Sequence, residues 1–157
     1  MNHVLENCLI VAVLLIIVLT PVCLTVRNSR NLKKKKISNE IVKAEKDFKA
    51  NFHHIDHLDS FVIAMDHDKK VIVQLDLKDY KSQLIDLKSI ASCTVEEKKQ
   101  KDTTQLLQLV LRNSSQQALH HIIFYKQYAD NEWHLKRSAK TAVQWEMMIN
   151  RTISLTA

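Results

Sequence analysis

The chain has 157 residues, with no glycine, one proline, three cysteines and a formal charge of +6 at pH 7. Without glycine it can build neither a Gly-rich phosphate loop nor a dinucleotide-binding fingerprint, which removes several large enzyme classes. Its length suffices for one domain with a real core beside an accessory segment, but not for two domains.

Residues 8 to 26 carry no charge and are dominated by Leu, Ile and Val. At ~1.5 Å per residue, a helix of this run matches a ~30 Å hydrocarbon core, so residues 1 to 26 are expected to form a membrane-spanning anchor. A cleaved signal peptide fits less well. No Lys or Arg precedes the apolar block, and Leu24, Thr25 and Val26 make no small-residue cleavage site. Thr20, Pro21 and Val22 likewise lack the small residue expected before a lipidated Cys23.

Residues 27 to 36 supply six basic side chains, Arg27, Arg30, Lys33, Lys34, Lys35 and Lys36, and no acidic one. Basic flanks stay on the cytoplasmic side. The expectation is a single-pass protein of the cell inner membrane, its C-terminal domain facing the cytoplasm and these six residues close to lipid. The rest of the chain is nearly charge-balanced, so the basic excess is not a nucleic-acid footprint. Cys8 and Cys23 fall in the apolar run and Cys93 stands alone beyond it, which leaves no disulfide framework.

Ser38 can cap a helix whose apolar positions Ile41, Ala44, Phe48 and Phe52 recur at helical spacing, so residues 27 to 58 read as a basic run followed by a linker helix. His53, His54, Asp56, His57 and Asp59 follow as the densest group of metal-ligand side chains. His53 and His57 would share a face if the helix reached them.

Residues 59 to 157 read as a sheet domain. A short apolar run from Phe61 to Asp66, a polar turn to Lys70, and the alternating Val71, Val73, Leu75 and Leu77 predict a hairpin. Ile85 to Ser89 predicts a further strand, and Ala91, Cys93 and Val95 alternate on one face of the next. Residues 98 to 104 read as a charged connection, Leu107, Leu109 and Leu111 continue the pattern, and residues 119 to 125 supply the last strand. Leu135, Ala139, Ala142, Trp145, Ile149 and Ile153 then mark an amphipathic helix over residues 132 to 153. The expected fold is α+β: a transmembrane helix, a linker helix, a six-stranded antiparallel meander and a closing C-terminal helix, the element order of pleckstrin-homology-like domains.

Three stretches carry a resemblance: Asp-Ser-Phe-Val-Ile-Ala-Met-Asp at 59 to 66, Asp-Leu-Lys-Ser-Ile-Ala-Ser-Cys-Thr-Val-Glu at 86 to 96, and Ala-Val-Gln-Trp-Glu-Met-Met-Ile at 142 to 149. They resemble an uncharacterised bacterial family of membrane-anchored proteins with a leading transmembrane helix, a basic juxtamembrane run, an Ile-x-Ser-Cys-x-Val strand and a closing helix carrying a Trp. The resemblance implies architecture and no activity.

Single residues add little chemistry. Cys93 on an inward face reads as a small hydrophobe. His120 and His121 point to opposite faces of a strand, and Trp145 reads as a core plug beside Val73, Val95 and Leu109. The expected function is a membrane-anchored, cytoplasm-facing interaction module, without cofactor or catalysis. It would bind a protein partner, or anionic lipid through lysines such as Lys69, Lys70 and Lys78. The alternative is a metal-binding protein or enzyme using the His53 to Asp59 cluster.

Overall fold

The computed structural model describes the backbone of residues 2–154. In the first helix it describes the side chains of residues 15, 16, 18–21 and 28, and from residue 31 to 154 all of them. The chain divides into two compact units, Met1–Glu40 and Ile41–Ala157.

The first unit is helical throughout its described backbone, as part of α1 (Asn2–Asp47). Thr20 Oγ1 donates to Ile16 O at 2.6 Å, the back-bond a helical threonine makes to the preceding turn. The expected membrane anchor is corrected here: among the described residues no helix is long and apolar enough to cross a membrane. The described side chains of the apolar run are those of Leu15, Ile16, Val18, Leu19, Thr20 and Pro21. The side chains of 8–14, 17 and 22–26, Cys8 and Cys23 among them, lie outside the described residues. The single-pass, inner-membrane placement with a cytoplasmic C-terminal domain falls with the anchor on which it rested.

In the second unit, the last turns of α1 end in a Schellman motif. Ala50 N donates to Glu45 O at 2.9 Å and Lys49 N to Lys46 O at 3.3 Å, with Lys49 in the left-handed conformation at φ 51°. A lysine takes the position glycine usually fills. The helix therefore stops at Asp47, short of the expected residue 52, and the expected linker helix is the last part of α1 rather than a separate element.

Four strands follow, β1 (His54–His57), β2 (Phe61–Asp66), β3 (Val71–Asp76) and β4 (Ser82–Asp86), as one antiparallel sheet in chain order. After a 3₁₀ turn at Leu87–Ser89, β5 (Ser92–Gln100), β6 (Thr103–Arg112) and β7 (Ala118–Lys126) form a second antiparallel sheet. The single six-stranded meander is thus replaced, among the described residues, by sheets of four and three strands. The expected strand at Ile85 to Ser89 is β4 followed by the 3₁₀ turn, and the charged connection at 98 to 104 is mostly strand, closed by Lys101 at φ 54° and Asp102.

The larger core cluster joins Phe61, Ile63 and Met65 of β2, Ile72, Ile85, Cys93, Leu109, Leu111 and Ile122 to Ala142, Trp145 and Ile149 of the closing helix. Ala64 and Val73 face the other way, against Ala44, Ala50 and Phe52. That second cluster explains why all of β2 is buried: one face meets the core and the other meets the end of α1.

The closing helix α2 (Leu135–Ser154) follows a 3₁₀ turn whose Trp133 N–H donates to Asn131 Oδ1 at 3.1 Å. It buries Ser138, Ala142, Trp145, Ile149 and Thr152 at spacings of three and four. Side chains on its two flanks tie it to both sheets. On one flank Trp145 Nε1 donates to Asp56 Oδ2 at 2.8 Å, and Thr152 Oγ1 meets His67 Nδ1 at 3.0 Å. On the other, Val95 N donates to Glu146 Oε1 at 3.1 Å, while Asn150 accepts from Cys93 N at 2.9 Å and donates to Cys93 O at 2.8 Å. Asn150 and Glu146 thereby occupy the backbone of an edge strand that would otherwise stand open.

Candidate functional site

Of the six basic residues, Lys33, Lys34, Lys35 and Lys36 are exposed on α1, whereas the side chains of Arg27 and Arg30 lie outside the described residues. The His53 to Asp59 segment is not a helical continuation. Residues 54 to 57 pair with β2, His54 opposite Met65 and Asp56 opposite Ile63. Strand alternation sends His54 and Asp56 toward the core side and Ile55 and His57 to the other, so His53 and His57 share no helical face. Among the described residues no group of three or more His, Cys, Asp or Glu side chains is placed to hold a metal ion.

The segment instead meets α2 at a small cleft. Asp56, His57, Leu58 and Asp59 line one wall and His134, Arg137, Ser138 and Thr141 the other, around about 30 Å³ of free space. His134 Nδ1 pairs with Asp59 Oδ2, both side chains 41% or more exposed and so screened by solvent. Asp59, His134 and Ser138 are the residue types of an acyl-transfer triad. Ligand pockets run to roughly 300–1,000 Å³, however, and this cleft admits little more than water.

A second junction ties the end of α1, the β2–β3 turn and the end of α2. Asp66 is buried, and its carboxylate accepts from Asn51 N at 2.8 Å and Lys69 N at 3.0 Å. Burial pushes its pKa up, but the N–H groups of Asn51, Lys69 and Asp68 with nearby His53 outweigh that and hold it below the ordinary carboxylate value. His67 sits beside it, its ring 5.1 Å edge-on from that of His54. Burial first, then the neighbouring His54 and His53, depress its pKa against the pull of Asp66 and Asp68.

Cys93 is buried, and burial with Glu146 nearby pushes its thiol up to about 12, Arg112 opposing only in part. A thiol so poor in thiolate is no nucleophile. Under native conditions Cys93 should resist iodoacetamide and react once the chain is unfolded, as peptide mapping would show; native labelling at a rate typical of a free thiol would contradict this burial.

The outer face of the three-stranded sheet is polar beside its β5 edge. Arg112 donates to Thr94 Oγ1 at 2.6 Å and pairs with Glu96, to which Gln108 Nε2 donates at 3.3 Å. The bond from Arg112 holds Glu96 below the usual glutamate value, although burial raises it. Toward β7 the face turns apolar, where Leu119 and Ile123 are 39% and 41% exposed with His121 between them. His120 lies opposite Leu111 and His121 opposite Val110, so the two histidines leave the strand on opposite faces.

Glu146, Asn150, Asp66 and the Asp59–His134 pair were not visible as partners in the sequence, because each contact spans elements far apart along the chain. No protein-family model matches the chain, nor does any curated protein or solved structure.

Proposed function

We propose that the chain is a non-catalytic interaction module that receives an extended segment of a protein partner on the edge of β7. The observation that carries this reading is the inequality of the two edges of the three-stranded sheet. At the β5 edge the backbone of Cys93 and the Val95 N–H are taken by Asn150 and Glu146, whereas among the described residues no strand lies beyond β7. At its C-terminal end the Lys126 N–H and carbonyl are tied into the following turn by Asp130 and Ala129, so the open run is residues 118 to 125. Such an edge offers main-chain hydrogen bonds for affinity, and the exposed Leu119, His121 and Ile123 select alternate side chains of the incoming segment. β4 is the poorer candidate, with only five residues.

Selection from a displayed library of extended peptides tests the reading. Binders should shift the backbone amide resonances of residues 118 to 125, and Leu119→Asp with Ile123→Asp should weaken them at least ~10-fold, ~1.4 kcal/mol, without lowering the melting temperature appreciably. A library that yields no binder, or binders indifferent to the double variant, would overturn it.

A further inference from the structure

The outward face of α2 is a second surface, independent of β7. Lys136, Lys140, Val143, Met147 and Arg151 are all exposed and follow one another at spacings of three and four, which places them on a single stripe. The stripe contains no acidic residue. Glu146, the one acidic side chain in α2, is turned to the β5 backbone.

Val143 is 44% and Met147 60% exposed, and just before the stripe Tyr128 and Trp133 are 95% and 90% exposed. A Trp left this bare forgoes the burial of ~150–250 Å² of surface that such a ring commonly achieves. The acidic groups that precede the stripe in the chain are Asp130, whose carboxylate is bound back to Lys126 N at 2.7 Å, and Glu132. Lys126, Lys136, Lys140 and Arg151 outnumber them.

We propose that this stripe docks reversibly on anionic lipid headgroups, the helix lying in the plane of the surface without crossing it. Basic side chains alternating with exposed apolar ones, and aromatic rings at one end, suit the headgroup boundary: cations meet phosphate and carboxylate, Val143 and Met147 enter the apolar layer, and Trp133 and Tyr128 sit between. A nucleic acid would satisfy the cations but would give Val143 and Met147 nothing to enter.

Tryptophan emission of the full chain, mixed with vesicles of phosphatidylcholine alone or with phosphatidylserine, is the test. Trp145 is fully buried and hydrogen-bonded, so Trp133 is the reporter. The expected result is a blue shift with phosphatidylserine, absent with phosphatidylcholine, abolished by Trp133→Phe and lost at about 0.5 M salt, where charges are screened within a few ångströms. Lys136→Glu with Lys140→Glu should weaken binding at least ~10-fold, since each basic residue near such a surface contributes about fivefold. Met147→Asp should weaken it while leaving the phosphatidylserine dependence intact. An equal shift on both vesicles, no effect of the charge reversal, or an equal shift with polyglutamate in place of vesicles would overturn the proposal.

Discussion

Replacing Trp145 by alanine is expected to cost ~3 to 5 kcal/mol, the range for removing a large buried aromatic and leaving a cavity behind. Trp145 is fully buried in the cluster that holds Leu109, Ile149 and Ala142, with Val95 packed at its margin. Its indole N–H also donates to Asp56 at 2.8 Å, so the variant loses the tie between α2 and β1 as well as the packing. A domain of this size has ~5 to 15 kcal/mol in all, so the variant should be marginal or unfolded in a thermal or urea transition. Trp145→Phe keeps most of the volume, loses the hydrogen bond and should cost less. Gln144→Ala, one position round the helix and exposed, should shift stability by under ~0.5 kcal/mol. Comparable small losses from the alanine variants at 144 and 145 would mean that α2 does not plug the core.

Burial of Trp145 was legible because its stripe obeys a helical period that the sequence displays openly. Its partners were legible only in part. Leu109 and Val95 meet it, but Val73 belongs to the opposite face of its sheet, packed against Ala44 and Phe52. Alternation along one strand says which residues share a face, not which of two covered faces is which, and β2 and β3 are covered on both.

β1 was illegible for a different reason. Its sequence His-Ile-Asp-His offers one apolar residue in four, and only the register opposite Val62 to Met65 makes it a strand. The end of α1 is not legible in the sequence because the left-handed residue that closes it is Lys49. In a chain without glycine the usual stop signal is missing, and Lys70, Tyr80, Lys101, Gln116 and Tyr128 likewise take positive φ angles in its turns. The division into two sheets depends on the 3₁₀ turn at Leu87–Ser89, where Asp86 caps the turn by accepting from Lys88 N at 2.9 Å and lets the chain leave one sheet for the other. The candidate sites follow the same logic. The His53 to Asp59 group looked like one ligand set because its members are close in sequence, whereas strand geometry deals them alternately to two faces.

Replacing Asp66 by alanine is expected to cost ~2 to 4 kcal/mol, because a buried carboxylate that accepts several backbone N–H bonds leaves those donors without a partner when it is removed. The donors come from Asn51, at the close of α1, and from Lys69 in the β2–β3 turn, so the loss falls on the joint between α1 and the first sheet. The same joint sets the response to acid. His67 has its pKa depressed below the ordinary 6.5, so it stays neutral in the folded chain while the unfolded chain takes up a proton first. Its contribution is complete above pH 6.5 and declines as pH falls below it. Asp66 is depressed below its ordinary 3.8, so its contribution is complete above that value and disappears as pH falls through the lower folded one. Both therefore act in the same direction, and stability measured by melting from about pH 8 to about pH 3 should fall in two stages. His67→Gln should flatten the first stage and leave the second, while Asp66→Asn should start from a lower melting temperature and show a smaller second stage, the remainder coming from other depressed carboxylates such as Glu96. A wild-type profile flat down to pH 4, or a first stage unaltered by His67→Gln, would show that burial, with His54 and His53 beside the ring, does not hold it neutral against the pull of Asp66 and Asp68.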